Sequence, residues 1–441
     1  MDITLRPARI CGTIDIPGSK SHTIRALLIA LFANGVSTLH NALDSQDTQA
    51  CIELCRRLGA RITFKTDIPV PSLVIDSTAI ASEKEEITID CANSGTTLYL
   101  ASAMCAAGCT SKSIRFSGDE QLLKRPIEPL LESLRDLGAT IEPKDSTTIP
   151  FTIHGPLDGG RTSIECRTSQ YLSALLLACP MAQSDSTIEV PLLNEKPYVK
   201  MTQYWLEKQK MDYSYNDELS LFHIKGNQHY KPFTECIGGD YSSATFFFCA
   251  AAMTGGTITV NGLDGSDPQG DKAVLSVLEQ MGCTVEWRGS GVTLNGSQRL
   301  KAGEFDINDI PDALPALAVA SCFADGKTKL YNVKQARLKE TDRIATMARC
   351  INELGGNAVE LDDGIEIHPV EGFTAKKIDG CNDHRIVMAM ALASLRCAGS
   401  LTIRSAQAAA VTFPTFFELL AKVSVSNEED PKTSLNSRTS V

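Results

Sequence analysis

The chain has 441 residues, 43% of them apolar and 22% charged, with a formal net charge of −11. That length exceeds one ordinary core and predicts at least two domains. The acidic balance excludes nucleic acid as the main partner, because duplex binding needs a basic face, so any anionic ligand must be met by a local cluster of cations.

The opening "MDITLRPARICG" reads as a short β-like lead and has neither the basic segment nor the apolar run of a signal peptide. No stretch of eighteen uninterrupted apolar residues occurs, which predicts a soluble, cytoplasmic protein with no membrane partner. Next comes "PGSKSHTIRALLIALFANG", a helix that begins at small polar residues and continues as an apolar rod. Lys20 and Arg25 lie toward its positive end, where each costs a few tenths of a kcal/mol, roughly, unless something anionic meets them.

The same pattern recurs down the chain in "NSGTTLYLASAMCAAG", "TSQYLSALLLACPMA", "GDYSSATFFFCAAAMTGG", "IPDALPALAVASCFADG" and "NDHRIVMAMALASLRCAG". Anchored on Ser21, Asn93, Ser169, Asp240, Asp312 and Asp383, the intervals are 72, 76, 71, 72 and 71 residues. Each segment offers a Ser, Thr, Asn or Asp as a helix N-cap, and four or five of the six offer a Gly as a C-cap. All are apolar all round, which predicts buried helices. Between them lie short β-rich runs such as "GTITVNGL" and amphipathic helices such as "PIEPLLESLRDLGA". The sixfold repeat predicts an α/β protein of two similar domains, three repeats each, with sheets outside and helices inside. The expected division is residues 1–18 with 238–423 in one domain and 19–237 in the other. A disordered tail is expected over 424–441, where apolar residues almost vanish.

Polar residues gather at the starts of these rods: Lys20, Ser21 and Arg25; Asn93, Gly95 and Thr96; Thr168, Ser169 and Gln170; Asp312; and Asp383, His384 and Arg385. Helix N-termini that share one end of a domain pool their free N–H groups into an anion site, and two facing domains would bring these ends together across a cleft. "LLKRPIEPL" adds Arg125, and "RLKETDRI" adds Lys339, Glu340 and Arg343, with helical spacing expected to put Lys339 and Arg343 on one face. Lys20, Arg25, Arg125, Lys339, Arg343 and Arg385 suit more than one anion, with Asp312 and Glu340 as the acids among them. Taken singly each motif has a plainer explanation: "KETDR" as a solvated helix face, "NDHR" as a cap with a hydrogen-bonded His384, Asp312 as a first-turn acid. Their common position within the repeat favours a shared site. The fifteen cysteines, with no C-x-x-C pair, point to reduced thiols acting as core filler, and no metal motif is present.

"PGSKSHTIR", "NSGTT", "KRPIEPL", "TSQYLSALLLA", "KPY", "GDYSSA", "IPDAL", "KETDRI", "NDHRIVMA" and "TFPTFFE" follow the order and spacing of the 5-enolpyruvylshikimate-3-phosphate synthase family over about residues 5–422. The resemblance implies two domains of three βαβαββ units each, an inside-out α/β barrel. It also implies transfer of the enolpyruvyl group of phosphoenolpyruvate to the 5-hydroxyl of shikimate 3-phosphate, with release of phosphate, no metal and no organic cofactor, in a chain expected to be a monomer. Carried over, Lys20, Ser21, Arg25, Thr168, Ser169, Gln170, Asp312, Gln335 and Lys339 resemble contacts to shikimate 3-phosphate. Lys20, Asn93, Gly95, Arg125, Gln170, Arg343 and Arg385 resemble contacts to phosphoenolpyruvate. Asp312 is the expected base toward the hydroxyl, and Glu340 and Lys20 are expected to protonate the methylene and assist phosphate departure.

Four positions depart from the family pattern. Glu195 stands before "KPY" where relatives carry a Ser near the substrate phosphate, and should repel it unless turned away. Val411 replaces a Lys, Tyr99 an Arg, and Gln335 an Asn. Two rival readings are a non-catalytic binder of phosphorylated metabolites and the sister enzyme acting on UDP-N-acetylglucosamine. The sister enzyme uses a cysteine where this chain has Glu120, and Asn where it has Ser21.

Overall fold

A computed structural model describes residues 1–66, 70–78, 86–109 and 113–426. The chain divides into two compact units: Gly18–Gly238 with Pro268–Gly270, holding repeats 1–3, and Met1–Pro17, Gly239–Asp267 and Asp271–Val441, holding repeats 4–6. Gly18 opens the repeat 1–3 unit because a Cβ there would lie 1.9 Å from the Asn41 carbonyl oxygen, so only glycine lets these two backbones approach.

One pairing rule recurs in five of the six sheets, and its first two pairings recur in the sixth. In the first repeat, Thr234–Cys236 lies parallel to Val36–His40, which is antiparallel to Ser72–Asp76, itself antiparallel to Arg61–Lys65. The second and third repeats build the same parallel, antiparallel, antiparallel order on Ser113–Ser117 and Ser186–Leu193. The fourth does so on Thr257–Asn261 and the fifth on Thr328–Tyr331. In the sixth, Leu401–Arg404 pairs parallel with Lys377–Asp379 and antiparallel with the lead strand Ile3–Leu5. The β-like lead thus pairs with the second half of the chain, as Arg9–Asp15 also does against Thr257–Asn261. These are six open sheets of three to five strands, and among the described residues none closes on itself. Ser424 and Val425 pair with Ile10 and Arg9, so the expected tail cannot begin at 424; its remainder from 427 lies outside the described residues.

Each unit packs its sheets around three helices that are apolar on every side: Lys20–Leu31, Gly95–Gly108 and Ser169–Ala178 in one, Tyr241–Thr254, Leu314–Ser321 and His384–Ser394 in the other. Each unit has its own continuous core. Buried Phe246, Phe247 and Phe248 illustrate the density; truncating any one to Ala costs about 3–5 kcal/mol.

The N-cap expectation holds for five helices, through Ser19, Ser94, Thr168, Asp240 and Asp383. The fifth is different. Leu314–Ser321 is entered through the 3-10 turn Pro311–Ala313 and has no side-chain cap, which leaves the Asp312 carboxylate for other partners. The C-cap expectation fails. Only Tyr241–Thr254 ends on a left-handed glycine, Gly255, while the others end at Phe32, Cys109, Cys179, Cys322 and Leu395. Several last turns tighten instead, as in Cys322 N–H to Val319 O and Leu395 N–H to Leu392 O, which satisfies terminal carbonyls without a left-handed residue. All fifteen cysteines are free thiols, most of them buried. Among the described residues no helix is long and apolar enough to cross a membrane.

Candidate functional site

The repeat 1–3 unit gathers three groups of polar side chains at the starts of its buried helices. At the first, Ser19 accepts from His22 N–H, and Lys20, the first helical residue, sets its Nζ 3.0 Å from Asp47 Oδ2. Asp47 is buried in the first turn of Gln46–Arg57, behind a Ser45–Thr48 capping box. Sequence reasoning missed it, because an acid after a Ser cap reads as a dipole partner of its own helix. Lys20 therefore has an internal acid besides any ligand.

Arg25 contrasts with it. Its side chain is 1% exposed and donates to Thr202 Oγ1 at 2.9 Å, Ser21 O at 3.0 Å, Tyr198 O at 3.3 Å and Ser173 Oγ at 3.4 Å. Among the described residues none of these hydrogen-bond partners is an acid. Burial lowers its pKa to about 10, which leaves it charged at neutral pH. A buried guanidinium held only by neutral oxygens favours an incoming anion.

At the second helix, Asn93 links three chains of contact. Its Nδ2 donates to Asp119 Oδ2 and Gln121 Oε1, both at 2.7 Å, and its Oδ1 accepts from Arg125 Nη2 at 3.2 Å. Gly95 is required beside it, since a Cβ there would sit 2.4 Å from Arg125 Nη1. Tyr99, expected from the resemblance to be a departure, is buried edge-on to Tyr171 at 5.3 Å, and both phenols donate to the Pro126 carbonyl, at 3.2 and 2.5 Å. The pair fixes the segment that carries Arg125. Gly95→Ala displaces Arg125 with little effect on folding, because the clash falls on the end of a flexible side chain. Urea unfolding of Gly95→Ala beside wild type checks this, with a stability within about 1 kcal/mol of wild type expected.

At the third helix, Thr168 caps Gln170 N–H, and the Thr168 and Ser169 hydroxyls both donate to Glu195. Glu195 is buried and turned toward these donors, not away as a repelled acid would be. Gln170 Oε1 is buried and takes no hydrogen bond.

In the repeat 4–6 unit, one network joins Asp312, Glu340, Arg343, Asp383 and Arg385. Arg343, 1% exposed, starts Arg343–Glu353; it donates through Nη1 to Asp312 Oδ1 at 2.8 Å, through Nη2 to Glu340 Oε2, and through Nε to Asp383 Oδ2 at 3.0 Å. Burial opposes its charge, but Asp383, Glu340 and Asp312 outweigh burial and hold its pKa above the ordinary arginine value. Arg385 donates to Asp312 Oδ2 at 3.2 Å and to Ser242 O at 2.9 Å. Asp383 also caps Arg385 N–H and accepts from Thr341. Two guanidiniums thus meet three carboxylates, so Asp383, which the sequence marked only as a cap, corrects the expected pair of acids to three.

Two further expectations change. Lys339 and Arg343 do not share a helix face: the helix begins at Arg343, capped by Asp342, and Lys339 is extended behind the turn Lys334–Leu338. Gln335 is buried and its Nε2 donates to Asn308 O at 3.0 Å. Val411, half-buried, ends the turn Ala406–Val411. His384 opens the last buried helix, and its ring lies with the Glu340 and Asp383 carboxylates within a 4.8 Å cluster, the set among the described residues that could hold a metal ion. Both carboxylates already accept from Arg343, so a cation occupies that position.

Known proteins give the context. The family model for EPSP synthase (3-phosphoshikimate 1-carboxyvinyltransferase) matches residues 5–420. Proteins named 3-phosphoshikimate 1-carboxyvinyltransferase from Acetivibrio thermocellus and Ruminiclostridium cellulolyticum are each 43% identical, over 96% and 95% of this chain and 98% and 97% of theirs. Among solved structures, EPSP synthase from Acinetobacter baumannii superposes with a TM-score of 0.79 at 27% identity, covering 96% of this chain and 98% of that one. The enolpyruvyl transferase NikO from Streptomyces tendae, at 18% identity and a TM-score of 0.78, shares the fold. This chain, with its six repeated sheets and its two polar clusters, belongs to the EPSP synthase family.

Proposed function

We propose that this chain transfers the enolpyruvyl group of phosphoenolpyruvate to the 5-hydroxyl of shikimate 3-phosphate, releasing phosphate. The observation that carries the residue-level reading is the repeat 4–6 network, in which two carboxylates suited to proton transfer, Asp312 and Glu340, share one buried guanidinium, Arg343. Relatives named for this activity, alike over nearly their whole length, support it.

The chemistry assigns the groups. The acceptor hydroxyl gives its proton to Asp312 as its oxygen bonds to C2 of phosphoenolpyruvate. Glu340, with Lys20, supplies a proton to the C3 methylene, so the double bond becomes a tetrahedral carbon. Expulsion of phosphate and return of the C3 proton restore the double bond, now on the acceptor oxygen. Arg343, Arg385 and Arg125 take the charge of phosphoenolpyruvate. Arg25, Thr168, Ser169 and Gln170 take the acceptor. At about 4 Å and an effective dielectric near 20, each such cation–anion pair contributes roughly 4 kcal/mol. No metal and no organic cofactor enters this reading.

A coupled phosphate-release assay with both substrates tests it. Turnover that requires shikimate 3-phosphate and phosphoenolpyruvate together is expected; binding of both without phosphate release would leave the non-catalytic reading in its place.

A further inference from the structure

Glu195 is the least expected acid in the molecule. It precedes the helix Lys196–Lys208 in a left-handed backbone conformation, φ 57°, which a glutamate rarely adopts. Its side chain is 1% exposed. A single oxygen, Oε2, accepts from Thr168 Oγ1 at 3.1 Å, Ser169 N–H at 3.1 Å and Ser169 Oγ at 2.9 Å. Three donors converging on one oxygen at the start of the buried helix Ser169–Ala178 are what a phosphate oxygen would find there.

Two independent features of the same helix trio point outward to a ligand. Gln170 Oε1, next along the helix, is a buried acceptor with no hydrogen bond, suited to a hydroxyl. Arg25 is a buried guanidinium that donates to the neutral oxygens of Thr202, Ser21, Ser173 and Tyr198, the last of these lying three residues beyond Glu195.

We propose that Glu195 is a specificity-determining residue that competes with the acceptor's phosphate for the Thr168 and Ser169 donors, and so sets how tightly the acceptor binds. This rests on the functional reading above. The carboxylate holds the donors in place and must turn aside when phosphate arrives, so affinity for the acceptor is lower than the same donors would give without it. Phosphoenolpyruvate, assigned to other residues, is untouched by the exchange.

The test compares wild type with Glu195→Ser and Glu195→Gln. Calorimetric titration with shikimate 3-phosphate alone is followed by the KM for each substrate. Removing a like charge from the seat tightens shikimate 3-phosphate about tenfold in Glu195→Ser, with its KM falling in step and the KM for phosphoenolpyruvate unmoved. Glu195→Gln, which keeps the shape without the charge, falls between. Unchanged or weaker acceptor binding in a folded Glu195→Ser overturns the proposal and makes Glu195 a structural cap. Should that variant not fold, the same result in Glu195→Gln overturns it. Ser169→Ala separates the two readings, since it weakens acceptor binding if the seat is correctly assigned. Unaltered binding in that variant would instead remove the assignment on which the proposal depends.

Discussion

Asp312→Ala loses turnover by about 10²–10⁴-fold, the usual contribution of a positioned acid or base, while phosphoenolpyruvate binding holds or tightens. The asymmetry follows from the network. Asp312 is not spent as a helix cap, because its helix is entered through a 3-10 turn without a side-chain cap. Its two oxygens instead accept from Arg343 Nη1 and Arg385 Nη2. Removing it takes away the proposed proton acceptor for the hydroxyl and releases one donor of each guanidinium, Nη1 of Arg343 and Nη2 of Arg385, for an anionic substrate. A residue whose only work was to hold the arginines would behave in the opposite way, with weaker phosphoenolpyruvate binding and nearly full kcat. Phosphate release at saturating substrates, with calorimetric titration of phosphoenolpyruvate, reads both quantities. A kcat within a few-fold of wild type would remove Asp312 from the proton transfer.

How far the sequence reaches differs between backbone and site. The sixfold repeat was legible because a buried rod must be apolar all round, and six such rods at nearly constant spacing cannot be coincidence. Helix starts were legible because a cap is a local event: Ser94 or Asp383 bonds to an amide two or three residues on. Helix ends were not, because a buried end closes by tightening its own last turn, which needs no glycine. Charge pairing was the least legible. Asp47 and Lys20 are 27 residues apart and Asp383 and Arg343 are 40 apart, so no local rule links them. Glu195 was noticed as an oddity, but its three donors lie 26 and 27 residues earlier, at the start of the same repeat, and only the folded chain brings them together. "KETDR" misled in another way: its spacing suits a helix, yet Asp342, accepting from Ala345 N–H, caps a helix that begins only at Arg343 and leaves Lys339 and Glu340 before the first turn.

Arg343→Met is expected to destabilise the protein as much as truncating a buried phenylalanine does. The substitution keeps much of the side chain's length and removes the charge that three carboxylates share. Asp383 is 0% exposed, and its Oδ2 would retain Thr341 as a donor while losing Arg343 Nε. Breaking a buried ion pair by deleting one partner costs about 3–5 kcal/mol, because the surviving charge stays out of water without compensation. The folded variant can relieve that cost by binding a proton within the carboxylate cluster, whereas its unfolded chain at neutral pH has no reason to. The folded state then binds more protons than the unfolded state, so the variant's stability falls as pH rises and recovers as pH is lowered toward 5. Wild type, with the guanidinium in place, lacks this proton uptake. Urea unfolding of both proteins at pH 5 and pH 8 measures the difference directly, and a gap that is wide at pH 8 and narrower at pH 5 is expected. An equal gap at both pH values would mean that packing around the Arg343 side chain, and not the charge it neutralises, is what the repeat 4–6 unit loses.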